Sequence, residues 1–389
     1  MAKRGAKGAG NIRKRTITRN GKQYTYWEGR VTTGRDPTTG KQVQRYFSAK
    51  TQKEVLEKMQ AVAVSVNDGT YTPPSKLTVA QWLDLWAENY LGGVKYNTVR
   101  LYKSNIKNHI RPALGGVRLS DLHPHTVQAM LNKLHGLSPQ SVRMVYQVLR
   151  NAMERAVKLG YMPKNPVLGC VLPRRDQKEI HPLDDGQVVA LLEAAKGSDM
   201  EYIITVALFT GLRISELLGL TWDAVDFKCG TITVDKQLAR YKNQGDGLFC
   251  SPKNGKPRTI APAASVMSAL HAQRRRQMEA QLRAGPAWNN PYGLVFTDEL
   301  GERFKHQRAQ DHFKAIVRAA GLEGVRFHDL RHTYAVNSIR AGDDIKTIQS
   351  NLGHATAAFT LDRYAHFTER MRKDSAQRME GFIKDIMKL

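Results

Sequence analysis

Two proline-bearing interruptions divide this chain into three lengths with different hydrophobic rhythms, and no single packed body suits all three. One runs over 67–76 and contains Asn67-Asp-Gly-Thr-Tyr-Thr-Pro-Pro-Ser75; the other runs over 166–181, where Pro166 and Pro173 precede Arg174-Arg175. Proline lacks an N–H and has a fixed φ, so such stretches neither continue a helix nor sit in a central strand. At 389 residues the chain also exceeds what one core ordinarily holds, and two or three domains are expected.

In the first length, residues 11–47 alternate polar and apolar in short runs: Tyr24, Tyr26, Trp27 and Val31, then Val43, Tyr46 and Phe47. The turn-rich stretch Gly34 to Gly40 breaks them. This reads as a small three-stranded sheet, followed by a helix over about 50–66 on Val55, Met59, Val62 and Val66. From Leu77 the pattern is helical. Thr78 caps a run with Trp82, Leu85, Trp86 and Leu91, and Asn97 caps one with Val99, Tyr102, Ile106 and Ile110 that Pro112 stops. Helices over about 124–134 and 139–158 follow. The third length is mixed, with helices near 185–196 and 199–209, strands near 231–235 and 257–260, then helices from 263 to the end. The expected fold is multidomain α+β. It places a sheet-plus-helix domain at 1–66, a linker at 67–76, an all-helical domain at 77–165, a linker at 166–181, and a mainly helical domain with a small sheet at 182–389.

The net charge of +25 is concentrated in the front half: residues 1–75 hold 15 Lys/Arg against 5 Asp/Glu, and residues 76–170 hold 13 against 4. A duplex presents a dense line of phosphates, so this excess points to a salt-sensitive nucleic-acid footprint, the alternative being a merely solubilising basic surface. Cys170, Cys229 and Cys250 are too few and too widely spaced for a zinc site or a disulfide framework, and are expected as buried thiols in a reducing cytosol. The longest mainly apolar stretch, Tyr202 to Phe209, falls far short of a membrane span, so no membrane role is expected and the location is cytoplasmic, associated with the nucleoid. The phrase Gly34 to Lys41 resembles a phosphate-binding loop only superficially, failing on spacing and on the missing Ser/Thr.

The chemistry-bearing residues lie in the last length, in the phrases Thr210-Gly-Leu-Arg213-Ile-Ser-Glu-Leu217, Ser251-Pro-Lys253-Asn, His328-Asp-Leu-Arg331-His332, Leu352-Gly-His354 and Asp362-Arg-Tyr364-Ala-His366. Transesterification at a phosphodiester needs a nucleophile, stabilisation of charge on the phosphorane, and a proton for the leaving oxygen. Arg213 and Arg331 are permanently charged forks suited to the non-bridging oxygens, His328 and Arg331 share a helical face, Lys253 sits in a turn ahead of a strand, and Tyr364 can attack. Each has a bland reading as well. Arg213 pairs with Glu216, Lys253 is a solvated loop charge, His354 caps a helix, and Tyr364 packs as an aromatic. His328 and His332 at i and i+4 lack the intervening Glu and a third ligand of a zinc motif.

Taken in order, Arg, Lys, His-x-x-Arg, Leu-Gly-His and Tyr resemble the tyrosine recombinase (phage-type integrase) family, and the resemblance covers nearly the whole chain. It implies that Tyr364 is a nucleophile forming a 3′-phosphotyrosyl bond. Arg213, Arg331 and His354 would hold the phosphate, with Lys253 as general acid and His328 taking the tyrosine proton. Neither a cofactor nor a metal is implied. The partners implied are double-stranded DNA at core and arm sites, a homotetramer on two duplexes, a directionality (excisionase) factor and a host DNA-bending protein, in the integration and excision of a mobile element such as a conjugative transposon. Two departures are Asn254 after Lys253 and Ala355-Thr356 after His354, where Thr and serines are commoner; neither removes a functional group. A DNA-binding regulator without activity and a type IB topoisomerase-like enzyme are the rival readings. Met379, Phe382, Ile383 and Ile386 recur at helical spacing and define an apolar face that docks either in cis or on a neighbouring subunit.

Overall fold

The computed structural model describes residues 11–35, 39–68, 71, 76–175, 181–239, 248–252, 255–354, 356, 358 and 379–387. The chain falls into two compact units, Met1–Gln177 and Lys178–Leu389. The fold is α+β, as the hydrophobic patterns predict.

The first unit opens with an antiparallel meander of β1 (Asn11–Arg19), β2 (Lys22–Arg35) and β3 (Gln42–Ala49). Asn20 and Gly21 join β1 to β2 with φ of 51° and 73°, the left-handed pair whose twist suits a two-residue hairpin. Helix α1 (Gln52–Asn67), capped by the Thr51 side chain, lays Val55 and Met59 on the sheet beside Val31. Gly29 permits that approach, since a Cβ there would fall 2.3 Å from the Met59 sulfur.

The helical part of this unit starts at α2 (Val79–Asn89), where Thr78 and Gln81 form the reciprocal cap that the sequence signals. Trp82 is buried, and its indole N–H donates to the Ala152 carbonyl at 3.0 Å. Two expectations fail in the next segment. Helix α3 (Tyr96–Asn105) begins ahead of Asn97, which therefore does not cap it, and Pro112 does not stop it. Instead the helix widens into a π turn over Ile106–Ile110, with the Arg111 N–H reaching back five residues to the Ile106 carbonyl, and runs on as α4 (Arg111–Leu114). An α-turn would drive the proline ring into the carbonyl four residues earlier, and the wider turn relieves that clash. Helices α5 (Pro124–Asn132) and α6 (Pro139–Lys158) complete the bundle, and α6 buries Val145, Val148, Leu149, Ala152, Met153 and Ala156 at helical spacing.

The second unit packs α7 (Asp185–Ala195), α8 (Glu201–Thr210) and α9 (Ile214–Leu218) with the small sheet β4 (Val225–Asp226), β5 (Thr231–Val234) and β8 (Arg258–Ile260), in the order β4-β5-β8. A two-residue ladder joins β6 (Gln237–Leu238) and β7 (Phe249–Cys250). Helices α10 (Ala264–Ala284), α11 (His306–Ala319), α12 (Phe327–Ala341) and α13 (Ile345–Leu352) follow. The helices expected from 263 onward are separated by irregular backbone over 288–305. There Leu294 bridges to Thr221, and Gln273 and Gln277 of α10 donate to the Val295 carbonyl, tying irregular backbone into the core. The cysteines also differ from expectation. Cys229 is exposed in the β4–β5 turn, where its N–H bonds Asp226, while Cys170 and Cys250 are half-buried. A further helix spans 379–387, with Met379, Phe382, Ile383 and Ile386 all exposed. No described helix is long and apolar enough to cross a membrane.

Candidate active site

Helix α8 closes at Gly211, whose φ of +65° is a left-handed conformation that favours glycine. The turn presses on α12, because a Cβ on Gly211 would lie 2.5 Å from the Tyr334 ring. Arg213 follows as the cap of α9 and exchanges bonds with Glu216. The Arg213 N–H donates to Glu216 Oε2 at 3.0 Å, and Arg213 Nη1 donates to Oε1 at 2.7 Å. Arg213 Nη2 donates to the Gly353 carbonyl at 3.3 Å.

Arg331 lies one turn into α12 and is only 3% exposed. Nη1 donates to the Gly211 carbonyl at 2.7 Å and Nη2 to the Leu352 carbonyl, so one guanidinium joins the end of α8 to the end of α13. Helix α13 terminates at Gly353, φ +62°, and the His354 N–H closes the cap on the Gln349 carbonyl at 3.1 Å. Both arginines therefore converge on the Leu352–His354 turn. His328 precedes Arg331 by one helical turn and meets His332 edge-on, ring centroids 4.8 Å apart.

Burial, and then the positive charge of Arg331, pushes the His328 imidazole down to about 4. Burial, then the charges of Arg331 and Arg213, bring His354 down to about 3. Both rings are thus neutral near pH 7. Glu216 goes the other way. Burial would raise it, but the bond and charge of Arg258, joined by Arg213, outweigh that and hold it at about 2. The result is a cationic cluster with two neutral imidazoles beside it, a charge distribution that favours an anion. Among the described residues no group of three His, Cys, Asp or Glu side chains is arranged to hold a metal ion.

Four of the six residues singled out in the sequence, Arg213, His328, Arg331 and His354, thus belong to one constellation. Lys253 and Tyr364 lie outside the described residues; β8 starts five positions after Lys253. The bland reading of Arg213 also holds, since it does pair with Glu216, and that pairing is what orients it. Arg258 was missed. Its signal is the spacing to Ile260: residues i and i+2 share one face of a strand, so a cation two positions before a buried isoleucine points inward and needs a carboxylate.

A family model described as the phage integrase family matches residues 182–371, and one described as the phage integrase N-terminal SAM-like domain matches 78–135. A tyrosine recombinase XerC-like protein of Caldanaerobacter subterraneus subsp. tengcongensis is 29% identical over 95% of this chain and 99% of its own. Tyrosine recombinase XerC 1 of Ralstonia nicotianae is 31% identical over 63% of this chain and 75% of its own. Among solved structures, the Tn1549 transposon integrase in complex with a circular intermediate DNA superposes with a TM-score of 0.66, covering 78% of this chain and 100% of that one at 23% identity. The chain belongs to the phage integrase family and is a site-specific recombinase of the tyrosine class.

Proposed function

We propose that this recombinase cuts DNA by attack of the Tyr364 hydroxyl on a backbone phosphorus, breaking the bond to the 5′ oxygen and leaving a 3′-phosphotyrosyl link. His328 takes the phenol proton and Lys253 protonates the departing 5′ oxygen. Arg213, Arg331 and His354 stabilise the charge that gathers on the non-bridging oxygens. Rejoining reverses these steps with the 5′ hydroxyl of another strand, and the covalent link conserves the phosphodiester energy, so no ATP is consumed. The observation that carries this reading is the convergence of Arg213 and Arg331 on the Leu352–His354 turn. The depressed pKa values suit His328 to its role, because a neutral ring is ready to accept a proton, and an incoming phosphate offsets the guanidinium charge that weakens it as a base.

In this reading residues 1–66 bind arm sites, 77–165 bind the core site, 182–389 form the catalytic domain, and 67–76 and 166–181 are linkers. Four copies assemble on two duplexes, with a directionality factor and a host DNA-bending protein as accessories, to integrate and excise a mobile element. The exposed apolar side chains of the 379–387 helix support its docking on a neighbouring subunit. The deciding experiment uses a nicked suicide core-site duplex in excess EDTA. The wild type traps a covalent adduct and Tyr364→Phe binds but traps none. An adduct from Tyr364→Phe sinks the assignment and no adduct from the wild type favours a DNA-binding regulator; on a supercoiled circle carrying the site, relaxation without strand exchange favours a topoisomerase.

A further inference from the structure

We propose that Arg258 is a positioning residue for the phosphate cradle, holding Arg213 through Glu216 and the His354 turn through the Asn351 carbonyl. The inference rests on the reading of Arg213 and His354 as phosphate ligands. All three guanidinium nitrogens of Arg258 are engaged. Nε donates to the Asn351 carbonyl at 2.8 Å, Nη1 to Glu216 Oε1 at 3.1 Å, and Nη2 to Glu216 Oε2 at 2.7 Å.

Glu216 is wholly buried, and its Oε1 is shared with Arg213 Nη1 at 2.7 Å. One carboxylate is therefore the joint between two guanidiniums on different elements. A buried carboxylate keeps its charge only while well paired. Without Arg258 it either swings wholly to Arg213 or takes up a proton, and in both cases the orientation of Arg213 changes. At its other end Arg258 lies against Gly353, where a Cβ would fall 3.1 Å from Nη1. The guanidinium thus packs on the turn that carries His354. Arg258 also opens β8, which starts five positions after Lys253, and pairs there with Val234 of β5. A single side chain so ties the edge strand β8 of the small sheet to the Arg213 cap and to the end of α13. Lysine cannot reproduce this, because one nitrogen cannot serve three acceptors held in a plane.

The test compares wild type, Arg258→Lys, Arg258→Met, Glu216→Gln and the Arg258→Met/Glu216→Gln double variant. Core-site Kd and single-turnover adduct formation are measured on the nicked duplex, and on the same duplex with a methylphosphonate at the scissile position, where a neutral methyl replaces one charged oxygen. Arg258→Met keeps Kd within about twofold and slows cleavage by roughly ten- to a hundredfold, as expected when a reacting geometry is displaced from a distance. The deficit shrinks on the methylphosphonate, which asks less of the cradle, and the double variant is no slower than the slower single one. A rate equal to wild type, a deficit of unchanged size on the methylphosphonate, or additive losses would each overturn the inference. Should circular dichroism show Arg258→Met unfolded, folded Arg258→Lys decides: it retains the charge beside Glu216 while losing the fork, so wild-type cleavage by it overturns the inference. Failure of the wild type to trap an adduct, or trapping by Tyr364→Phe, instead overturns the reading on which it stands.

Discussion

Arg331 Nη1 donates to the Gly211 carbonyl at 2.7 Å, across 120 residues of chain. The left-handed turn that closes α8 is therefore tied directly to the helix that carries His328.

Gly211→Ala strikes that junction directly. A left-handed φ costs a residue with a Cβ about 1–2 kcal/mol, and the added carbon also meets Tyr334 at 2.5 Å. Denaturation is expected to show at least that loss, with cleavage falling further because the carbonyl that orients Arg331 shifts. An unchanged denaturation midpoint would mean the turn is not under the constraint described.

Arg213→Lys and Arg331→Lys keep the charge and lose the planar fork. Cleavage is expected to drop on the order of a hundredfold in each, by comparison with removal of one preorganised donor. Single-turnover rates on the nicked duplex check this; near-normal rates in both would place the phosphate elsewhere.

His328 and His354 titrate near 4 and 3 in the folded state, against 6.5 for the free group. Over that interval the unfolded chain binds more protons, so their contribution to stability is complete above about 6.5 and is lost as pH falls toward 4 and 3. Glu216, lowered from 4.5 to about 2, contributes above 4.5 and fades only below it. Urea midpoints are expected to decline from pH 7 to pH 4.5, and the decline is expected to flatten in a His328→Asn/His354→Asn double variant. A decline of undiminished slope in that variant would assign it to other groups.

Deletion of residues 1–75 removes 15 Lys/Arg against 5 Asp/Glu. Core-site cleavage is expected to survive, while DNA affinity becomes less sensitive to salt because fewer phosphates are neutralised. A plot of log Kd against log salt with unchanged slope would show that this charge never meets DNA.

The fold was legible wherever a period repeats. The meander, the Thr78 cap and the long face of α6 all carry their signal within one element. Two-residue strands such as β6 and β7 are too short to show a period at all. The passage of a helix through Pro112 depends on a local widening that no side-chain pattern announces. At the site, the phrases singled out Arg213, His328, Arg331 and His354, which the fold brings together, while the contact of Arg258 with Glu216 depends on which carboxylate lies opposite it, 42 residues away. Contacts of that kind are a property of the packed chain, absent from any window of the sequence.

The π turn at Ile106–Ile110 holds one residue more than an α-helix of the same rise requires, and Pro112 stands just beyond it. The extra residue and the proline therefore accommodate one another. A chain that loses one residue from this turn regains a regular helix only if the proline goes too, and otherwise every side chain upstream rotates by about a third of a turn relative to those downstream. Length variation among related helical domains is thus expected to appear here as a deletion accompanied by replacement of the proline.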